Sequence, residues 1–438
     1  MNGRRIVRIL AASIAGAAVL AGAHSAHAQS TAQREAGDHA GIWFWSMPDA
    51  PDGTVPKQSW SGPGPGPNGE IYVAGMDHVA NSILYRLGTF GAGTSQPADT
   101  LWYAGDARAA SAAAGNLETD EPIEKFHTQP TLLNSRVYVG NLNYSTLDDG
   151  YLDVRGFHWY AYDRPTKQFL DLTAGKPGGV AIPHGGLVGM VADAANNRLY
   201  GAVAPTGELV RYAIGTGVTT NLGRPPAIVR PYMYPGRAMW VSSRGRVYFT
   251  AGNPNTGPSA GGPYKPAVFN HVRYWDPKTG FGEEKSWLLT DTRAIDFGQC
   301  FPKPAPRTCY LMDNVGHIYR YRETATNANW VKLGGIGQVR DELYGMTWVF
   351  QVSPDQRKAY VVSRRGAFVE FDLIARKATL RGNLWTLEPS LAGLDFYGNS
   401  TWDRFGRFYF SAFPKLPTDE GRARLVAISP ALFLPAIL

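Results

Sequence analysis

The chain has 438 residues, with 43 Lys and Arg against 36 Asp and Glu and a formal net charge of +7. It has no Lys/Arg run and no interleaving of basic with aromatic residues, which argues against a nucleic-acid partner. Its 50 Gly, 31 Pro, 22 Tyr and 12 Trp, without long helical periodicity, read as all-β.

Taken in order, the chain opens on Arg4, Arg5 and Arg8. A short apolar run from Ile9 to Ala21 follows, and then Ala26-His27-Ala28. A charged start, an apolar stretch and a small-residue cleavage site predict a secretory signal peptide over residues 1–28. The run is too short for a membrane anchor, which needs about 20 apolar residues. Loss of three arginines takes the charge from +7 to +4. Mild basicity suits an acidic substrate as well as a bland soluble protein. Residues 29–39 read as a disordered mature N-terminus. Residues 40–438 read as a single domain. The C-terminal PALFLPAIL is short and holds two prolines, so no membrane span is predicted. The expectation is a monomer, periplasmic or secreted.

A short pattern recurs through the mature chain: a turn, often Arg or Lys, an apolar residue, then Tyr. Its tyrosines are Tyr72, Tyr138, Tyr200, Tyr248, Tyr310, Tyr360 and Tyr409, spaced 48 to 66 residues apart. Turns such as Pro67-Asn68-Gly69 and Asn196-Asn197 precede them. Strands with alternating aromatics follow, such as Phe157 to Tyr162 and Ile318 to Tyr321. Seven copies of a strand-turn-strand-loop-strand unit predict a seven-bladed β-propeller. A sandwich or barrel with coincidental tyrosines is the alternative. Gly41-Ile42-Trp43-Phe44-Trp45 belongs to no copy and is the expected closing outer strand of the seventh blade. Cys300 and Cys309 flank the turn Lys303-Pro304-Ala305-Pro306 symmetrically, which predicts a disulfide across an antiparallel hairpin. Two reduced thiols are the alternative.

Counting back eleven residues from each tyrosine gives equivalent positions on the inner strands: Ser61, His127, Gly189, Arg237, Gln299, Val349 and Gly398. Counting back sixteen adds His184 and Tyr232. The loops from second to third strand open on the same face. They bring Asn143, Tyr144 and His158 in the second copy and Asn253 in the fourth. One rim would therefore gather His127, His158, His184, Arg237, Gln299, Tyr232, Tyr144, Asn143 and Asn253, and long loops on one face of a repeat commonly carry binding sites. Each of these residues alone is more often a surface or half-buried side chain than a catalyst.

No paired-carboxylate motif lies on that rim, which argues against ordinary glycoside hydrolysis, and no G-x-S-x-G elbow is present. His, Tyr and Arg with few acids suit an anionic substrate. Arg237 and Gln299 could hold a carboxylate, and a histidine or tyrosine could remove the proton α to it. That chemistry is β-elimination from a uronic acid.

The segments FHTQPTLLNSRVYVGNLNY, RGFHWYAYD, HGGLVGMVADAANNRLYG and GRAMWVSSRGRVYFTAGN resemble the seven-bladed propeller polysaccharide lyases, which include oligogalacturonate, ulvan and rhamnosyl-glucuronate lyases. The resemblance covers the second to fourth copies and extends to the others only as repeat pattern. It implies a site at the channel mouth with two histidines, matched here by His127 and His158, a carboxylate-holding Arg237, and a tyrosine for which Tyr232 and Tyr144 are both candidates. The partner it implies is an acidic polysaccharide or oligosaccharide. Some of these lyases bind a divalent metal, but Asp148-Asp149-Gly150 is too short a motif to support one, and no cofactor is predicted. The rival reading is a non-catalytic propeller that binds a glycan or a protein. A quinone-dependent or lactonase propeller is a third. It lacks the repeated Trp docking motif of the first and the acidic metal site of the second.

Overall fold

The computed structural model describes residues 30–88, 100–143, 152–226, 236–250, 271–288, 295–303, 306–313, 316–324, 328–336 and 347–433. The expected signal peptide lies outside them. Three short strands begin the chain: β1 (Thr31–Gln33), β2 (Glu35–Ala36) and β3 (Ile42–Ser46). The first antiparallel array follows, with β4 (Gly64–Pro65), β5 (Ile71–Met76), β6 (Ser82–Leu87) and β7 (Thr100–Asp106). Helix α1 (Ala107–Ala113) comes next, capped by the Asp106 carboxylate, which accepts from the Ala109 N–H at 2.8 Å.

The second array has β8 (Thr131–Leu133), β9 (Arg136–Gly140), β11 (Trp159–Asp163) and β12 (Gln168–Asp171). Beside it β10 (Gly156–Phe157) pairs with β13 (Ile182–Pro183). The third array runs β14 (Gly186–Asp193), β15 (Arg198–Ala204), β16 (Leu209–Ala213) and β17 (Val218–Asn221). The fourth has β18 (Met239–Val241), β19 (Val247–Thr250), β20 (His271–Asp276) and β21 (Gly280–Leu288). The fifth has β22 (Ile295–Phe301), β23 (Thr308–Asp313), β24 (His317–Glu323) and β25 (Ala328–Gly335). The sixth has β26 (Thr347–Val352), β27 (Lys358–Ser363), β28 (Ala367–Asp372) and β29 (Lys377–Asn383). The last is β30 (Asp395–Trp402), β31 (Phe408–Phe413) and β32 (Arg424–Ile428), with β3 returning from the N-terminus to pair with β32.

The fold is all-β. The seven repeat tyrosines all fall on the second strand of their arrays, and each is at most 7 % exposed. Such residues alternate along a pleated strand with others on the opposite face. Because an array is covered on both faces, both sets are buried. Tyr72, Val139 and Tyr160 join the first two arrays, Tyr138, Trp159 and Leu199 the next pair, and Tyr248, Leu311 and Tyr321 the fourth and fifth. The first strands also touch in sequence, β4 with β8, then β14, β18, β22, β26 and β30, and β30 touches β4. Strand β26 pairs with β30 in parallel.

Residues 30–39 are ordered, against the expectation of a disordered N-terminus. Strand β1 pairs with β7, and β2 pairs with β3. The backbone groups of this segment satisfy sheet edges that would otherwise be open, and the Glu388 carboxylate accepts the Asp38 N–H. Cys300 and Cys309 sit directly opposite each other in the β22–β23 ladder and form the predicted disulfide. Among the described residues, no helix is long and apolar enough to cross a membrane.

Candidate functional site

A cavity of about 160 Å³ lies where the segments leading into β8 and β18 meet β14, β22 and β30. Its chemistry comes from His127, Gln129, Arg237, Asp296, Tyr397 and Asn399. Of the seven positions found by counting back eleven, four line it: Ser61, His127, Gly189 and Arg237. Gly189 is there for space, because a Cβ at that position would sit 2.8 Å from the Arg237 carbonyl oxygen.

His127 is 3 % exposed, and its Nδ1 lies 3.1 Å from the Val188 carbonyl oxygen. A carbonyl only accepts, so Nδ1 carries the proton and Nε2 is the basic nitrogen of the neutral ring. Burial pushes the ring's pKa well below its ordinary value, and Arg237 and Lys125 push it the same way. Lys125 is also buried. Burial first, then Arg237, lowers its ammonium to about 7. The half-buried Arg237 donates from Nη1 to the Trp60 carbonyl at 3.3 Å. Its guanidinium lies 4.5 Å from the Tyr397 ring centroid and 5.7 Å from that of Trp60. These contacts hold its planar fork in place by cation–π attraction. Its backbone N–H donates to Asp296 Oδ1 at 3.3 Å. Gln129 donates from Nε2 to the Pro63 carbonyl at 2.6 Å and to that of Asn399 at 3.3 Å. A neutral imidazole and a fixed guanidinium therefore face one small space.

His158 does not join them. It does not line the cavity, and it is fully buried beside α1 and β12. Its Nδ1 lies 3.0 Å from Asp171 Oδ2, and its Nε2 lies 3.0 Å from Glu121 Oε1. Asn116 and Thr173 also bond Asp171, and Arg155 bonds Glu121. Burial lowers the ring's pKa, but the hydrogen bonds to Asp171 and Glu121 outweigh it, and the net shift is upward. An imidazolium between two carboxylates is a structural ion network, and it has no nitrogen left to act as a base.

The other expected members separate as well. His184 is half-buried with its Nδ1 on the Val154 carbonyl at 2.9 Å, and it does not line the cavity. Asn143 is buried away from the cavity and accepts from the Glu124 N–H at 3.4 Å and Asn141 Nδ2 at 3.2 Å. Gln299 pairs directly with Tyr310, and its Oε1 accepts from Gln351 Nε2 at 3.0 Å and the Val352 N–H at 2.9 Å. The fixed offset fails there because the Pro-rich β22–β23 turn is longer than its counterparts. Tyr144, Tyr232, Asn253 and the Asp148-Asp149-Gly150 motif lie outside the described residues. Among those described, no group of three or more His, Cys, Asp or Glu could hold a metal.

The sequence reading missed Asp296, Gln129 and Asn399. Asp296 had a signal, a single acid in the apolar strand Ile295-Asp296-Phe297. It faces inward because the β22–β23 ladder skips it in a bulge between Ile295 and Phe297.

No protein-family model matches the chain, and no curated protein matches its sequence. Among solved structures the chain is distantly similar to a luciferin-regenerating enzyme, with 8 % identity, a TM-score of 0.41, and coverage of 67 % of this chain and 87 % of that one.

Proposed function

We propose that the arrays close as a seven-bladed propeller completed by β3, and that its cavity cleaves a uronic-acid-containing polysaccharide by β-elimination. Strand pairing β3 with β32 and the cyclic run of first-strand contacts from β4 back to β4 support the closure. One observation carries the function: Arg237 and the neutral His127 line the same cavity. In this reading Arg237 holds the uronate carboxylate and draws charge from it, which acidifies the C5 proton. Nε2 of His127 takes that proton; burial keeps the ring neutral and so able to accept one, while the same burial weakens it as a base until the uronate charge offsets Arg237. The C4–O bond then breaks as the C4–C5 double bond forms. The disulfide fits export to an oxidising compartment, the periplasm or beyond.

The test is incubation with a panel of uronate polymers, following the ultraviolet absorbance of the new carbon-carbon double bond. His127→Ala should lower turnover by about 10²–10⁴-fold with the fold intact. Arg237→Ala should weaken binding as well as turnover, because the carboxylate is held in both ground and transition states. Wild-type rates in both variants on a polymer that is cleaved would place the chemistry elsewhere. The second reading is a non-catalytic propeller that binds acidic glycans. It is favoured by His158, whose two carboxylate partners leave one histidine where the lyase pattern has two. Binding without cleavage, lost in Arg237→Ala, selects that reading.

A further inference from the structure

We propose that Asp296 is the general acid of this site, donating the proton that the departing sugar oxygen needs. The inference rests on the lyase reading above and supplies the acid that the histidine pair does not. Three observations on the inner strands lead to it.

The first is positional. The same bulge occurs in three first strands: between Leu187 and Gly189 in β14, between Ile295 and Phe297 in β22, and between Thr347 and Val349 in β26. The skipped residues are Val188, Asp296 and Trp348. Valine and tryptophan serve the bulge, so the fold does not require a carboxyl there. The second is spatial. Asp296 lines the cavity that holds His127 and Arg237, and its Oδ1 accepts the Arg237 backbone N–H at 3.3 Å. The third is electrostatic. Burial raises the Asp296 carboxyl above its usual range against the pull of Arg237, and the Asp313 charge on β23 adds to the rise. Asp313 is itself bonded to His317 at 2.9 Å. His127 adds no positive charge, since it is held neutral.

The step balances. His127 Nε2 gains the C5 proton, the C4–O bond breaks, and Asp296 Oδ–H passes its proton to that oxygen. Asp296 ends as a carboxylate and His127 as an imidazolium, and water returns the proton from one to the other. Substrate binding assists. A uronate carboxylate on Arg237 offsets the positive charge that opposes protonation of Asp296, which favours the protonated form. An acid and a base kept apart in pKa by unlike surroundings in one site is a recurrent catalytic arrangement.

The experiment compares two leaving groups. One substrate is whichever uronate polymer of the panel is cleaved. The other is the matching methyl uronide carrying a 4-O-(2,4-dinitrophenyl) group, which leaves without a proton. Asp296→Asn should lose about 10²–10⁴-fold on the polymer and keep nearly wild-type turnover on the dinitrophenyl substrate. His127→Ala should lose activity on both. In the wild type, the rate should fall more at high pH with the polymer than with the dinitrophenyl substrate, since Lys125, lowered to about 7, acts on both alike; this measurement needs no variant to fold. Equal loss on both substrates, or no loss on the polymer, overturns the assignment of Asp296 alone. Cleavage of neither substrate by the wild type overturns the lyase reading and this assignment with it.

Discussion

At the scale of the residue, the buried ions around His158 are a liability for stability. His158 and the Asp171 side chain are sealed from solvent, and Glu121 nearly so. Removing one partner of a buried ion pair typically costs about 3–5 kcal/mol, because the other charge stays behind unpaired. His158→Gln should therefore destabilise the protein by roughly that amount, read from urea melts near pH 5. The pH dependence has two limbs. The folded pKa of His158 is raised, so its contribution is complete below its unfolded value of about 6.5 and fades as pH rises through the folded one. Asp171 is lowered to about 2: burial acts to raise it, but bonding to His158 outweighs that. Its contribution is present above about pH 4 and is lost as pH falls toward 2. The gap between wild type and His158→Gln should thus be widest at mildly acid pH and narrow on both sides. A gap that stays flat from pH 5 to pH 9 would remove the imidazolium from this account.

At the scale of the element, the recurring Arg before the repeat tyrosine has a local explanation. Arg136 on β9 faces Asp163 at the end of β11, with Nε–Oδ2 at 2.8 Å. In the fourth array Arg246 pairs with Asp276 at the end of β20, at 2.7 Å. Both are cross-strand pairs at the open end of a hairpin. Partly exposed pairs of this kind contribute little stability, about 0–1 kcal/mol, so they help fix register more than they hold the fold. The β22–β23 hairpin has a covalent tie instead. Its disulfide joins residues nine apart. A loop this short restricts the unfolded chain only modestly. Cys300→Ser with Cys309→Ser should lower unfolding free energy by about 2 kcal/mol. No change in the urea midpoint would show that the ladder alone holds this hairpin.

At the scale of the molecule, neighbouring arrays depend on close backbone approach. Gly64 on β4 shows this where the first array meets the second. A Cβ there would lie 1.8 Å from the Pro130 carbonyl oxygen, and backbone cannot yield as a flexible side chain can. Gly64→Ala should destabilise by about 1–3 kcal/mol as an overpacked contact, whereas Gly215→Ala should be tolerated, since nothing lies within 4 Å of its added Cβ. Thermal melts of the two variants make the comparison, and equal melting temperatures would dismiss the packing argument. The N-terminal segment acts at the same scale. Strand β1 closes the outer edge of the first array while β2 and β3 close that of the last. Residues close in sequence thereby tie the first array to the last.

The sequence by itself determined the all-β class, the placement of seven tyrosines on second strands, the return of Ile42–Ser46 to the last array, and the Cys300–Cys309 bond. The class, the tyrosines and the disulfide follow from local rules, since alternation, turn residues and hairpin symmetry act over a few positions, whereas the returning strand was found by elimination, as the strand pattern that belongs to no repeat copy. Four of the positions counted from the tyrosines, Ser61, His127, Gly189 and Arg237, line the cavity. Tertiary structure decided the rest. A bulge and a longer turn shifted the offset in the fifth array, which moved Gln299 out and turned Asp296 in. His158 is held away from the cavity by Asp171, on the neighbouring strand, and by Glu121, 37 residues before it in the chain. The N-terminal segment takes the open edges of β7 and β3, which belong to the first and last arrays. The fifth-array shift is local, but a bulge and a turn length are not visible to a count from the tyrosine. For His158 and the N-terminal segment, a buried polar group or an open strand edge takes whichever partner folding brings within hydrogen-bond reach.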